Sequence, residues 1–173
     1  MHKNMVKALG IFTLALFVLS MTGAAAFSGS ANYKKTRGIF TNSKTILTKN
    51  NVQEVTQLEQ INKALKKGPV LLKIGAEWCG SCQKMKPVLK ELATEYNGKA
   101  TIMAVDVDKN PKLADYFGVN SIPDFSVIVR IGKGKYVYMQ QDGTVTTSRS
   151  QARIVGLKDK TVFEKVLDLI IQQ

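Results

Sequence analysis

Gly75-Ala-Glu-Trp-Cys-Gly-Ser-Cys-Gln-Lys-Met-Lys-Pro-Val-Leu89 is the stretch on which the fold turns. Just before it, Val70-Leu-Leu-Lys-Ile-Gly75 is an apolar run of strand length, interrupted only by Lys73. Beyond the first cysteine, Met85, Val88, Leu89, Leu92, Ala93 and Tyr96 recur at helical spacing until Asn97-Gly98, so a helix is expected over 79–97. A buried strand therefore passes into a helix at Trp78-Cys79-Gly80-Ser81-Cys82. Cysteines three apart at such a turn can approach closely enough to bond. The first sulfur lies by unpaired backbone N–H groups at the positive end of the helix dipole, which favours its thiolate. The second points inward, positioned to resolve a mixed disulfide, and Gly80 and Ser81 are small enough for the turn. The pattern encodes a two-electron couple in which Cys79 attacks and Cys82 displaces.

The rest of the composition removes most competing chemistries. The chain has 173 residues, 45% hydrophobic and 22% charged, a normal globular mixture with room for one domain and modest extras. Its two cysteines and single histidine, His2, cannot complete a zinc site or a disulfide-stapled scaffold. Without a histidine in the body of the chain, Ser-His and Cys-His catalysis are excluded. A c-type haem site would need histidine after Cys82, where Gln83 stands. A purely structural disulfide between residues so close closes too small a loop to stabilise much. No metal and no cofactor are expected.

Lys3 and Lys7 precede the uncharged run Leu9–Leu19, and Ala24 and Ala26 then occupy the small-residue positions of a cleavage site before Phe27. Residues 1–26 thus read as a secretory signal peptide, with an uncleaved anchor over residues 6–27 as the alternative. Either way the remainder is expected outside the cytoplasmic membrane, secreted, periplasm-like or anchored facing outward, where conditions usually favour disulfides. Residues 27–42 read as a flexible basic leader. The formal charge of +12 is concentrated in an arm carrying Lys34, Lys35, Arg37, Lys44 and Lys49 and in residues 130–160. No nucleic-acid motif accompanies these patches, so they read as solvated surface and no nucleic-acid partner is expected.

The domain is expected over residues 43–173. Ser43 to Thr48 suggests an edge strand. Val52, Val55, Leu58, Ile61 and Leu65 suggest a helix capped by Asn50 or Asn51. Ala100–Val107 and Phe125–Ile131 read as strands, Pro111–Phe117 as a short helix, and Ile154-Val155-Gly156 as a last strand. Val162, Phe163, Val166, Leu167 and Ile170 mark a final amphipathic helix starting after Asp159. Turn signals at Gly132-Lys-Gly-Lys and Asp142-Gly143 flank Tyr136-Val-Tyr-Met and Thr144-Val-Thr, and predict a hairpin over 132–151. Alternating strands and helices followed by hairpins imply an α/β fold, a mixed sheet covered by helices on both faces.

The active-site stretch resembles that of thioredoxins. Pro87 sits five residues past Cys82, where that family has the proline that bends its active-site helix. Val105-Asp-Val-Asp-Lys-Asn-Pro and Val119-Asn-Ser-Ile-Pro-Asp-Phe resemble two further segments of the family in the right order. The second holds the proline that is cis in thioredoxins and lies against the disulfide. The resemblance covers about residues 45–131 and resumes at Gly156. It implies a thioredoxin fold with an extra hairpin, a redox-active Cys79–Cys82 disulfide with Cys79 as nucleophile and Cys82 as resolving thiol, and a substrate groove lined by Trp78, Ile122 and Pro123.

The departures are equally specific. Thioredoxins usually carry a buried acid at the position of Lys73 and often a lysine at that of Ala104. Strand alternation puts Ala104 and Asp106 on one face, so Asp106 is a candidate partner for Lys73. Lys73 then either tunes the couple, as a charge or as a neutral base for Cys82, or extends its amine to water. Ser81 and Asp124 stand where the family often has proline and threonine. The expected activity is a monomeric thiol–disulfide oxidoreductase that reduces protein disulfides outside the cytoplasm, supplied with electrons by a protein reductase or other donor. Oxidation or isomerisation of disulfides, and a binding or chaperone module without turnover, are the alternatives.

Overall fold

A computed structural model describes residues 51–172. The expected signal segment, leader and edge strand at Ser43–Thr48 lie outside the described residues. The elements run β1 (Gln53–Glu54), α1 (Leu58–Leu65), β2 (Val70–Gly75), α2 (Gly80–Glu95), β3 (Thr101–Asp106), α3 (Pro111–Tyr116), β4 (Asp124–Gly132), β5 (Lys135–Met139), β6 (Val145–Thr146), α4 (Arg149–Ala152), β7 (Ile154–Val155) and α5 (Lys160–Ile171).

The sheet order is β1-β3-β2-β4-β5-β6, with β7 paired to β4. β2 runs parallel to β3 and antiparallel to β4. Flanked on both edges and covered on both faces, β2 is buried along its whole length, which is why its sequence is a continuous apolar run. Leu71 packs with Met85 and Leu89 of α2 and Phe163 of α5 on one face. Leu72 and Ile74 pack with Ile61 of α1 and Leu113 of α3 on the other. Phe125 and Phe163 meet at 4.8 Å between ring centroids. Tyr96 at the end of α2 donates to Asp168 Oδ1 of α5 at 2.8 Å, locking those two helices over the first face. The mixed sheet between two helical layers is a thioredoxin fold.

The first expected helix is corrected at its start. Gln53–Glu54 is a strand parallel to β3, and the helix begins only at Leu58. Val52 and Val55 lie against opposite core layers, and a spacing of three suits opposite faces of a strand as well as one face of a helix. The cap is also different. Gln60 reaches back with Oε1 to accept from the backbone N–H groups of Thr56 at 2.7 Å and Gln57 at 3.0 Å.

The expected hairpin region forms an antiparallel edge, β4-β5-β6. Lys133 and Gly134 both have positive φ, 50° and 75°, the backbone of a tight two-residue turn between Gly132 and Lys135. Between Ile128 and Arg130 the register slips, a bulge at Val129. The short helix α4 follows β6. It is four residues long, too short to leave a periodic signature.

Candidate active site

The turn from β2 into α2 is built as its residues require. Cys79 is the N-cap residue of α2, in extended conformation, and its sulfur accepts from the Cys82 backbone N–H at 3.2 Å. It also lies 3.3 Å from Ser81 Oγ. An N-cap normally offers an oxygen to these orphan N–H groups; here sulfur does so, placing it at the positive end of a 16-residue helix. Cys79 and Cys82 are joined by a disulfide, their Cα atoms 5.1 Å apart. Cys79 is 6% exposed and Cys82 fully buried, so only the first residue of the pair keeps any accessible surface.

The other expected site residues converge on this pair, with differences. Ile122 packs against Ala76, Cys79 and Cys82, and the Ile122–Pro123 peptide bond is cis. Trp78 is 71% exposed beside the pair, its indole N–H donating to Asp108 Oδ2 at 2.8 Å. Pro87 lies inside α2, where its missing N–H leaves the Gln83 carbonyl without its usual helical partner.

Lys73 is 7% exposed and lies at the wall of a cleft. Its expected partner does not pair with it. Asp106 Oδ1 instead accepts from the backbone N–H groups of Asp108 at 3.0 Å and Lys109 at 3.2 Å, holding the turn after β3. A short acid at a strand end caps its own following turn before it spans to the next strand. Among the described residues Lys73 has no ion pair. Burial holds its ammonium below the ordinary lysine range, and nearby Lys86 pushes the same way, while Asp106 and Glu77 oppose them. Glu77 itself bonds Lys86 at 2.8 Å, and this hydrogen bond is the main reason its carboxyl lies below the usual range.

One cluster escaped the sequence reading. Asp124, next to the cis proline and fully buried, is held by Arg149 Nη2 at 2.6 Å and by Arg153 Nε at 2.8 Å. Arg149 Nη1 also donates to the Phe117 carbonyl at 2.8 Å, and Arg153 Nη2 to Asn120 Oδ1 at 2.9 Å. Both arginines thus grip the segment that carries Ile122 and Pro123. The available signals were a lone acid opening an apolar strand and two arginines four apart.

Comparison with known proteins gives one answer. The thioredoxin family model matches residues 47–155. The thioredoxin of Staphylococcus haemolyticus is 48% identical over 104 residues, covering 60% of this chain and 84% of that protein. The thioredoxin of Chlorobaculum thiosulfatiphilum is 41% identical over 76 residues, 44% of this chain and 67% of its own. Among solved structures, a thioredoxin variant from Halobacterium salinarum superposes with a TM-score of 0.52 at 26% identity, covering 71% of this chain and 90% of that one. Trichomonas vaginalis thioredoxin gives 0.53 at 27%, with 68% and 95% covered. The family match spans more than half of the sequence, and with it the chain belongs to the thioredoxin family of thiol–disulfide oxidoreductases.

Proposed function

We propose that this chain works outside the cytoplasmic membrane as a reductase of protein disulfides, using the Cys79-Gly80-Ser81-Cys82 couple. Cys79 is the nucleophile that forms the mixed disulfide, and Cys82 resolves it. Trp78, Ile122 and Pro123 line the surface on which the substrate backbone lies, and a protein reductase or equivalent donor returns the electrons. The single observation that carries this reading is the asymmetry of the bonded pair: Cys79 caps α2 and is slightly exposed, whereas Cys82 is buried behind it. The export half of the reading rests on residues 1–26, with their basic start, apolar core and small residues before Phe27.

Insulin reduction by the full chain with dithiothreitol tests the chemistry. The parent turns over, and Cys79→Ser abolishes turnover, because no other thiol can take the first step. An inert parent that still binds unfolded protein would favour the chaperone-type alternative. Mass determination of the protein recovered from its native host tests export: loss of residues 1–26 supports it, and an intact N-terminus in the cytoplasm removes it.

A further inference from the structure

Three loops lie at the end of the sheet opposite the disulfide. β2 and β3 run in parallel and start level, Val70 beside Thr101, while antiparallel β4 passes Val70 at Ile128 and continues into its turn with β5. The loops before β2 and β3 touch. The Thr101 N–H donates to the Pro69 carbonyl at 2.9 Å, and a Cβ on Gly68 would stand 2.7 Å from the Lys99 carbonyl oxygen. Residues 66–69, 97–99 and 130–135 make up this pole, and they carry Lys66, Lys67, Lys99, Arg130, Lys133 and Lys135 with no acid. All of these cations are exposed, and among the described residues none of them makes an ion pair. Glu95, the acid at the end of α2, is held by Lys160 at 2.7 Å. Ile131 stands among the cations of the β4–β5 turn and is 45% exposed. The disulfide pole differs: its loops after β2 and β3 mix Glu77 and Asp108 with Lys109.

Like charges gathered on one pole repel one another, and an anionic partner offsets that repulsion. The chain also enters the domain here. β1 runs parallel to β3, so Asn51 just before it lies at the same end, lining a cleft with Lys67 and Lys99. Upstream in the sequence, Lys34, Lys35, Arg37, Lys44 and Lys49 stand without an acid among them, and the uncharged run Leu9–Leu19 precedes them. We propose that this basic pole docks on an anionic lipid surface, an inference that goes beyond the redox chemistry and rests on the membrane-side placement read from residues 1–26. The lysine and arginine heads meet lipid phosphates, while their stems and Ile131 reach towards the acyl boundary. A nucleic-acid backbone would match the charge but offers Ile131 no apolar layer to enter. β2 separates the two poles, its six residues spanning about 20 Å at roughly 3.3 Å each. Docked this way, the domain holds Cys79 and Trp78 on the side turned away from the lipid, open to protein substrates.

The test follows amide hydrogen exchange of the protein as its host produces it, on phosphatidylcholine vesicles with and without phosphatidylglycerol. Phosphatidylglycerol slows exchange at residues 66–69, 97–99 and 130–135 and leaves residues 76–79 and 120–123 unchanged. The protection fades in about 1 M salt, where the screening length is about 3 Å. Each neutralised cation weakens the contact about fivefold. The combined variant Lys66→Gln, Lys67→Gln, Lys133→Gln and Lys135→Gln therefore loses the protection at a vesicle concentration that half-saturates the parent. Its exchange without vesicles matches the parent elsewhere in the domain, which shows that it is folded. Equal protection on pure phosphatidylcholine, protection centred on residues 76–79, or protection of the pole by duplex DNA and not by vesicles overturns the proposal. Export and redox chemistry are read by mass and by insulin turnover, so their failure is distinguishable from failure of this contact.

Discussion

Lys73 on β2 and Asp124 on β4 are buried charged residues on adjacent central strands, one register step apart, since Asp124 pairs with Ile74. They point to opposite faces of the sheet and meet opposite treatment. Asp124 has two guanidinium partners, and one of them, Arg149, also satisfies a backbone carbonyl. Lys73 has no ion pair among the described residues and sits against a sulfur and a cleft. A buried charge that is fully paired holds structure in place, here the segment carrying the cis proline. One left unpaired costs stability. The contrast sets a paired buried charge against an unpaired one on neighbouring strands of the same sheet.

The strongest way to break the comparison is to unpair the satisfied site. Arg149→Met leaves Asp124 with one partner and the Phe117 carbonyl with none, and is expected to cost roughly 3–5 kcal/mol in urea unfolding of the oxidised protein. A loss below about 1 kcal/mol would show that the pair is not structural. Next, Lys73→Met should move stability in the other direction, a gain of about 1–3 kcal/mol below the lowered pKa of Lys73, where the variant removes an unpaired buried cation. Its pH dependence has a definite sign. Below its lowered native pKa, Lys73 is charged in both states and the native state carries the full burial penalty. Between that pKa and the ordinary value of 10.5, the native state sheds the proton first and the penalty fades. The advantage of methionine should therefore be greatest below that lowered pKa and shrink as pH rises from it towards 10.5. A gain that grew with pH would refute the assignment of the penalty to the ammonium.

Smaller effects sharpen the picture. Arg153 is partly accessible and shares Asp124 with Arg149, so Arg153→Ala should cost about 1–2 kcal/mol, less than Arg149→Met. Smallest of all, Trp78→Phe removes an exposed hydrogen bond to Asp108 and should alter stability by no more than about 0.5 kcal/mol, measured by thermal unfolding.

How far these regions were legible follows from the range of the interactions involved. The Cys79–Cys82 turn could be read directly, because a strand-to-helix transition and a spacing of three are local, and local geometry sets where the two sulfurs lie. Ile122 and Pro123 were placed by resemblance alone; periodicity says nothing about which distant loop reaches a disulfide. Lys73 was recognised as out of place in an apolar strand, but its partner was misjudged. Asp106 shares its face, yet two backbone N–H groups in its own turn claim the carboxylate first. Arg149 and Arg153 looked like part of a basic surface, since nothing local distinguishes a solvated arginine from one that reaches a buried acid 25 residues away.

By itself, then, the order of residues determined the redox pair, its polarity along α2, the alternation of strands and helices and the tight turn at Lys133-Gly134, all of which depend on neighbours within a few positions. Only the tertiary structure decided that Lys73 and Cys82 would both border the space beside Gly75, that Asp106 would turn away, and that α4 would grip the cis-proline segment. Those outcomes depend on which strands lie side by side and on what burial leaves each charge to bond with, and neither is written in any single stretch of chain.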